Sequence, residues 1–139
     1  MNVGIVRFTC EKEGMVFTFV FVCTATAYAY NTKFAFDLTS GALSPWQYSS
    51  EAYKYSVDEN PVVECTYIKP SDATFKYDVV NSDYESRVVA FSATGTFSTR
   101  EFERNTTVQN KQYRLAVKRE SGAWNSSATT QGKWNIDSY

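Results

Sequence analysis

MVFTFVFVCTATAYA, residues 15–29, decides which part of the chain builds the fold. Residues 15–23 are apolar except for Thr18, a run about as long as the apolar segment of a secretory signal needs. The run closes on Ala27 and Ala29, small residues two apart, which fit the shallow pockets of a signal peptidase and predict a mature start at Tyr30. A cut two residues earlier would use Ala25 and Ala27 instead. The competing reading is a buried strand, since a short Val- and Phe-rich run has no diagnostic period. The leading residues 1–14 carry Arg7 and Lys12 but also Glu11 and Glu13, so their positive charge is weak. The Ala-x-Ala ending favours export. A membrane anchor needs about 20 apolar residues, and Thr24 and Thr26 interrupt this run.

On this reading residues 1–29 are a leader and residues 30–139 form one domain. A domain of that size buries about two-thirds of its unfolded surface, so it needs no metal or disulfide to hold a core. Removing Arg7, Lys12, Glu11 and Glu13 from the chain's 14 cations and 15 anions leaves 12 and 13. The balance shows no basic stripe and argues against nucleic acid as a partner. Cys10 and Cys23 fall in the leader, leaving Cys65 as the mature domain's one thiol and no internal disulfide. Alternation over 62–67 places Val63, Cys65 and Tyr67 on one face, predicting a buried, inert thiol.

The mature chain reads as strands throughout. In 31–38, NTKFAFDL, Phe34, Phe36 and Leu38 alternate with Lys33, Ala35 and Asp37. Further strands are expected over 46–57 with a break at Ser49-Ser50, and over 62–68, 73–80, 86–94, 96–102 and 111–118. A short one is expected at 106–108, and Trp134 with Ile136 suggests a closing edge strand over 131–139. Turn residues punctuate the chain every 8–15 residues, and no mature segment shows a sustained 3.6-residue period. The expected fold is all-β: an antiparallel β-sandwich, or a barrel, of about seven to nine short strands.

Candidate chemistry is sparse. The chain has no histidine, which removes His-dependent nucleophilic sites and the common zinc and copper ligand sets. Its six glycines form no phosphate-binding signature. The clustered acids are Asp58-Glu59, Asp83/Glu85 and Glu101/Glu103, in turns and on polar faces where solvated charge is expected rather than catalysis. Asp58, Glu59 and Asn60 lack the spaced oxygens of a calcium loop. No metal, no cofactor and no enzymatic activity are expected. Asn105-Thr106-Thr107 and Asn125-Ser126-Ser127 match the N-glycosylation pattern.

Aromatic content is the positive signal. Beyond the leader stand Trp46, Trp124, Trp134 and nine tyrosines. These residue types suit strands and small cores. They also bind ligands, because a ring offers flat apolar area at low entropic cost. Trp46, Tyr48, Tyr53 and Tyr55 form the candidate ligand patch.

The layout resembles a family of small exported proteins of Gram-positive bacteria classed as a domain of unknown function, DUF2712. The resemblance covers roughly 27–139 and lies in the AYA cleavage site, the Phe-x-Phe-x-Leu strand at 34–38, Pro45-Trp46, the Tyr-rich strand and Gly132-Lys133-Trp134. The Gly-x-Trp ending also looks like secreted bacteriocins of the lactococcin 972 type. Neither resemblance implies catalytic residues. The expected function is a secreted, non-catalytic binding protein with a cell-wall glycan or a surface protein as partner and no stable membrane anchor. The alternative is a secreted bacteriocin-like antibacterial protein.

Overall fold

The computed structural model describes residues 31–39, 44–123 and 125–138, and before residue 23 the backbone of four short strands. Those four are β1 (Ile5–Phe8), β2 (Glu11–Lys12), β3 (Met15–Val16) and β4 (Phe19–Val22). They pair only among themselves, β1 with β4 and β2 with β3, and contribute no rung to the sheets that follow. The cleavage site expected at Ala27, Ala29 and Tyr30 lies outside the described residues, as does Trp124.

Nine strands build the body: β5 (Thr32–Thr39), β6 (Gln47–Tyr48), β7 (Ala52–Tyr53), β8 (Val62–Lys69), β9 (Thr74–Val80), β10 (Phe91–Thr94), β11 (Phe97–Glu101), β12 (Gln112–Arg119) and β13 (Ser127–Asn135). Among the described residues there is no helix. One sheet runs β10-β9-β12-β6, with β7 paired farther along the same edge of β12; the other runs β11-β8-β13-β5. Every pairing is antiparallel. The two sheets pack face to face, so the fold is the expected β-sandwich.

Alternation explains the core. Phe75, Tyr77 and Val79 of β9, with Tyr113, Leu115 and Val117 of β12, face Phe34, Phe36 and Leu38 of β5 and Val63, Cys65 and Trp134 of the opposite sheet. Each buried large side chain contributes roughly 1.5–3 kcal/mol of transfer free energy. In the core, Tyr77 Oη and Cys65 Sγ each meet Thr130 Oγ1, at 3.1 and 3.3 Å. Burial, only partly offset by the Thr130 hydrogen bond, pushes the Tyr77 phenol far up, so it stays neutral.

Three expectations need correction. First, β13 is not an edge strand; it lies between β8 and β5 and begins in the Ser/Thr-rich stretch at Ser127. Second, Tyr67 does not share the inward face of Val63 and Cys65. The β8–β13 register steps from Cys65↔Gly132 to Tyr67↔Gln131, leaving Thr66 as the extra residue of a bulge. The bulge reverses the alternation, so Ile68 is buried and Tyr67 is exposed. Third, 86–90 and 106–108 are not strands. Ser86 and Val89 make isolated bridges only. The Thr106 N–H donates to Arg87 O at 2.8 Å, and side chains satisfy the next two: the Thr107 N–H donates to Asn105 Oδ1 at 2.9 Å, and the Val108 N–H donates to Tyr113 Oη at 2.7 Å.

Candidate functional site

The outward face of β12 is the frame of the site. Because Tyr113, Leu115 and Val117 point into the core, Gln112, Arg114, Ala116 and Lys118 point away from it. Pairing then fixes what lies beside them. Tyr48 is opposite Ala116 and Tyr53 is opposite Gln112, so both tyrosines share this outer face. Trp46, just before β6, lies under the Lys118 ammonium at 5.1 Å, a cation–π distance. From Lys118 to Gln112 the strand covers about 20 Å at roughly 3.4 Å per residue.

The sequence-derived patch is therefore on one face, but not as a single cluster. Tyr53 and Tyr55 meet, ring centroids 4.7 Å apart and tilted by 56°. Tyr48 packs instead edge-on against Tyr84, at 4.8 Å. Trp46 stands at the far end with Lys118. Arg114 braces the Tyr48–Tyr84 pair: it donates to Tyr84 Oη at 3.2 Å and to Glu51 Oε1 at 2.8 Å. Tyr48, Tyr53, Tyr55 and Tyr84 are 36, 39, 57 and 53% exposed, so each offers a ring to solvent while its base is held.

Tyr84 had no sequence signal beyond being a large aromatic in a turn. Its φ is +62°, the left-handed region that bulky residues rarely enter. The turn holds it there, with the Tyr84 N–H donating to Asn81 O at 3.0 Å and the Asn81 N–H to Glu85 O at 3.1 Å. Ser86 Oγ donates to the Asp78 carboxylate at 2.8 Å, tying this segment to β9. Burial raises the Asp78 carboxyl above its ordinary value, against the opposing pull of the Ser86 and Val79 donors and of Lys76.

Beneath the Tyr53–Tyr55 pair lies an ion pair that the sequence did not reveal. Lys54 is fully buried, and its Nζ donates to Asp137 Oδ1 at 2.9 Å, Glu59 O at 2.6 Å and Ile136 O at 3.3 Å. Asp137 also accepts from Ser56 Oγ at 2.6 Å and from the Tyr55 and Ser56 N–H groups at 2.9 and 3.3 Å. Burial pushes the Asp137 carboxyl up, but Ser56, Tyr55 and Lys54 together outweigh it and hold the group below the usual carboxylate range. The pair pins β7 to the residues after β13. Beside it is a cavity of about 270 Å³ lined by Thr32, Glu51, Tyr53, Tyr55, Asn135 and Asp137, among others.

The other candidates sit elsewhere. Asp58, Glu59, Asp83, Glu85, Glu101 and Glu103 are all exposed, and none lines the cavity. Glu85 pairs with Arg87, and Glu101 accepts a hydrogen bond from Asn60. Among the described residues no cluster of three His, Cys, Asp or Glu is placed to hold a metal ion. Asn105 uses both ends of its amide internally, donating to Glu59 O at 3.0 Å and accepting from Thr107. Cys65 is buried and unpaired by disulfide. The class that fold and face define is an antiparallel β-sandwich with a solvent-facing aromatic strip along one strand. No protein-family model, no curated protein and no solved structure matches the chain.

Proposed function

We propose that this protein is a non-catalytic binding module that holds a carbohydrate chain, such as a cell-wall glycan, along the outer face of β12. The observation that carries the reading is the spacing of rings, half-buried Trp46 followed by the exposed Tyr48–Tyr84 and Tyr53–Tyr55 pairs, set along about 20 Å of strand. Aromatic rings give a sugar's C–H face apolar area without first having to be ordered. The left-handed backbone of Tyr84 supports it, since strain kept in a bulky residue concentrates at working surfaces. The adjoining polar groups, Arg114, Glu51, Asn110 and Gln109, supply hydroxyl partners. The protein acts outside the cytoplasm after losing residues 1–29. That part of the proposal is supported by the Ala-x-Ala ending, and by a body whose sheet ladders use no described residue before 31.

The test is retention of the full chain on insoluble cell-wall glycan, with Tyr48→Ala/Tyr84→Ala as the variant. Stacking worth roughly 1 kcal/mol per ring predicts a loss of about tenfold or more for the double change. Undiminished retention refutes the reading. So does selective retention on immobilised surface protein with none on glycan.

A further inference from the structure

We infer that the free edge of β5 is a self-association surface: two copies of this chain pair their β5 strands antiparallel about a two-fold axis at Ala35, joining two four-stranded sheets into one continuous sheet. The inference makes no use of the carbohydrate reading and is independent of it.

β5 is the one long edge that nothing guards. Among the described residues the two sheets end on β10, on β6 with β7, on β11 and on β5. β10 has four residues, and β6 and β7 have two each. β11 shifts register between Phe97 and Arg100. Short edge strands and irregular registers keep other chains from adding to a sheet. β5 instead runs eight residues and matches β13 rung for rung from Thr32 to Thr39. No described strand pairs with its other side, and it contains no proline. The Gln47 amide of the opposite sheet reaches the Asp37 carbonyl at 3.3 Å, a long bond that an incoming N–H would displace.

The sequence of the strand names the partner. Alternation turns Lys33, Ala35, Asp37 and Thr39 to solvent and Phe34, Phe36 and Leu38 to the core. A lysine on an edge ordinarily repels a second copy, because like meets like. Here a two-fold at Ala35 sets Lys33 of each copy opposite Asp37 of the other, giving two ion pairs across one ladder. It also sets Phe34 opposite Phe36 on the inner face and puts the small Ala35 side chain at the axis, where the strands cross. The neighbouring registers, with the axis at Phe34 or Phe36, place Lys33 against Ala35 or Thr39 and forfeit both ion pairs. Within its own sheet Lys33 stands opposite Lys133, which is paired with Glu64, so its cross-strand neighbour there is a like charge. The strand's charges therefore fit a second copy of the strand.

The experiment is sedimentation equilibrium of the full chain at low salt, loaded from about 1 to 500 µM. The mass is expected to rise from the 15.8 kDa of one chain toward twice that. The expected Kd is about 10–100 µM, as suits a contact smaller than a permanent interface. Lys33→Glu or Asp37→Lys alone sets like charges opposite each other twice and is expected to weaken association by about tenfold or more. An equimolar mixture of the two single variants restores opposite charges between unlike chains and is expected to associate as tightly as the unaltered protein. Both positions face solvent, so each variant is expected to keep the native circular dichroism. A chain that stays monomeric at about 500 µM overturns the inference. So does a dimer that both single variants leave intact, which would place the contact in residues 1–29 or on another face. A mixture that associates no better than its components overturns it as well.

Discussion

Replacing Asp137 with Ala tests the buried ion pair most directly. Lys54 Nζ would keep the Glu59 and Ile136 carbonyls but lose its counter-charge, with no exposed surface through which to recruit water. The Ser56 hydroxyl and the Tyr55 and Ser56 N–H groups would lose their acceptor as well. Stranding one member of a buried pair costs about 3–5 kcal/mol. In a domain near this size that lowers Tm by roughly 12–20 °C at about 4 °C per kcal/mol. Asp137→Asn keeps an oxygen for Tyr55 and Ser56 and should lose about half as much. Lys54→Met/Asp137→Ala removes both charges and should recover at least about 2 kcal/mol of the single-variant loss, read as a coupling energy. Urea unfolding followed by circular dichroism and tryptophan fluorescence gives all three values. A loss below about 1 kcal/mol for Asp137→Ala, or no coupling with Lys54, would refute the claim that the ammonium depends on this carboxylate.

The remaining predictions concern the two shifted carboxyls, a glycine and the thiol. Asp137, held below its ordinary value, stabilises the fold above the carboxylate range and loses that contribution as pH falls through its lowered value. Asp78 runs the other way: its raised value makes the buried charge a burden near neutral pH that lifts as pH falls. Asp78→Asn should therefore raise Tm near neutral pH and add nothing in acid, as thermal melts across the range would show. A Cβ at Gly132 would sit 1.9 Å from Glu64 O and 2.9 Å from Phe34 Cζ. Gly132→Ala should cost at least about 1–3 kcal/mol in the same urea assay. Cys65, 1% exposed, should resist a thiol reagent in the native full chain and react on unfolding, as peptide mapping of the labelled protein would report.

The sandwich was legible because strict alternation survives in β5, β9 and β12, where Phe34/Phe36/Leu38, Phe75/Tyr77/Val79 and Tyr113/Leu115/Val117 read straight off as inward faces. What broke the reading was chemistry between strands. Nothing local in 62–68 announces the bulge at Thr66; it lies in the pairing with β13, beside the point where Gly132 lets the Glu64 carbonyl approach. The Ser/Thr-rich start of β13 looks solvated, yet Ala128 and Thr130 are buried because strands flank it on both sides. At the site, Trp46, Tyr48, Tyr53 and Tyr55 were visible as an aromatic run, but the shared outer face of Tyr48 and Tyr53 comes from the pairing of β6 and β7 with β12. Tyr84 and Arg114 were invisible because they reach the same surface from 29 or more positions away, and Lys54 and Asp137, 83 apart, meet only in the folded ion pair. A single sequence carries no signal for such pairings.

The position of β13 sets a schedule for folding. The strand that must lie between β8 and β5 is made after every other strand, and Asp137 follows it. Until it arrives, β5 has no hydrogen-bonded neighbour among the described strands and Lys54 lacks the Asp137 carboxylate, so this side of the sandwich waits on pairings distant in sequence. The sheet that holds β8 and β5 is therefore joined only once β13 is in place, whereas β10, β9, β12 and β6 pair without it. Cut short before residue 127, it would present bare strand edges and aggregate.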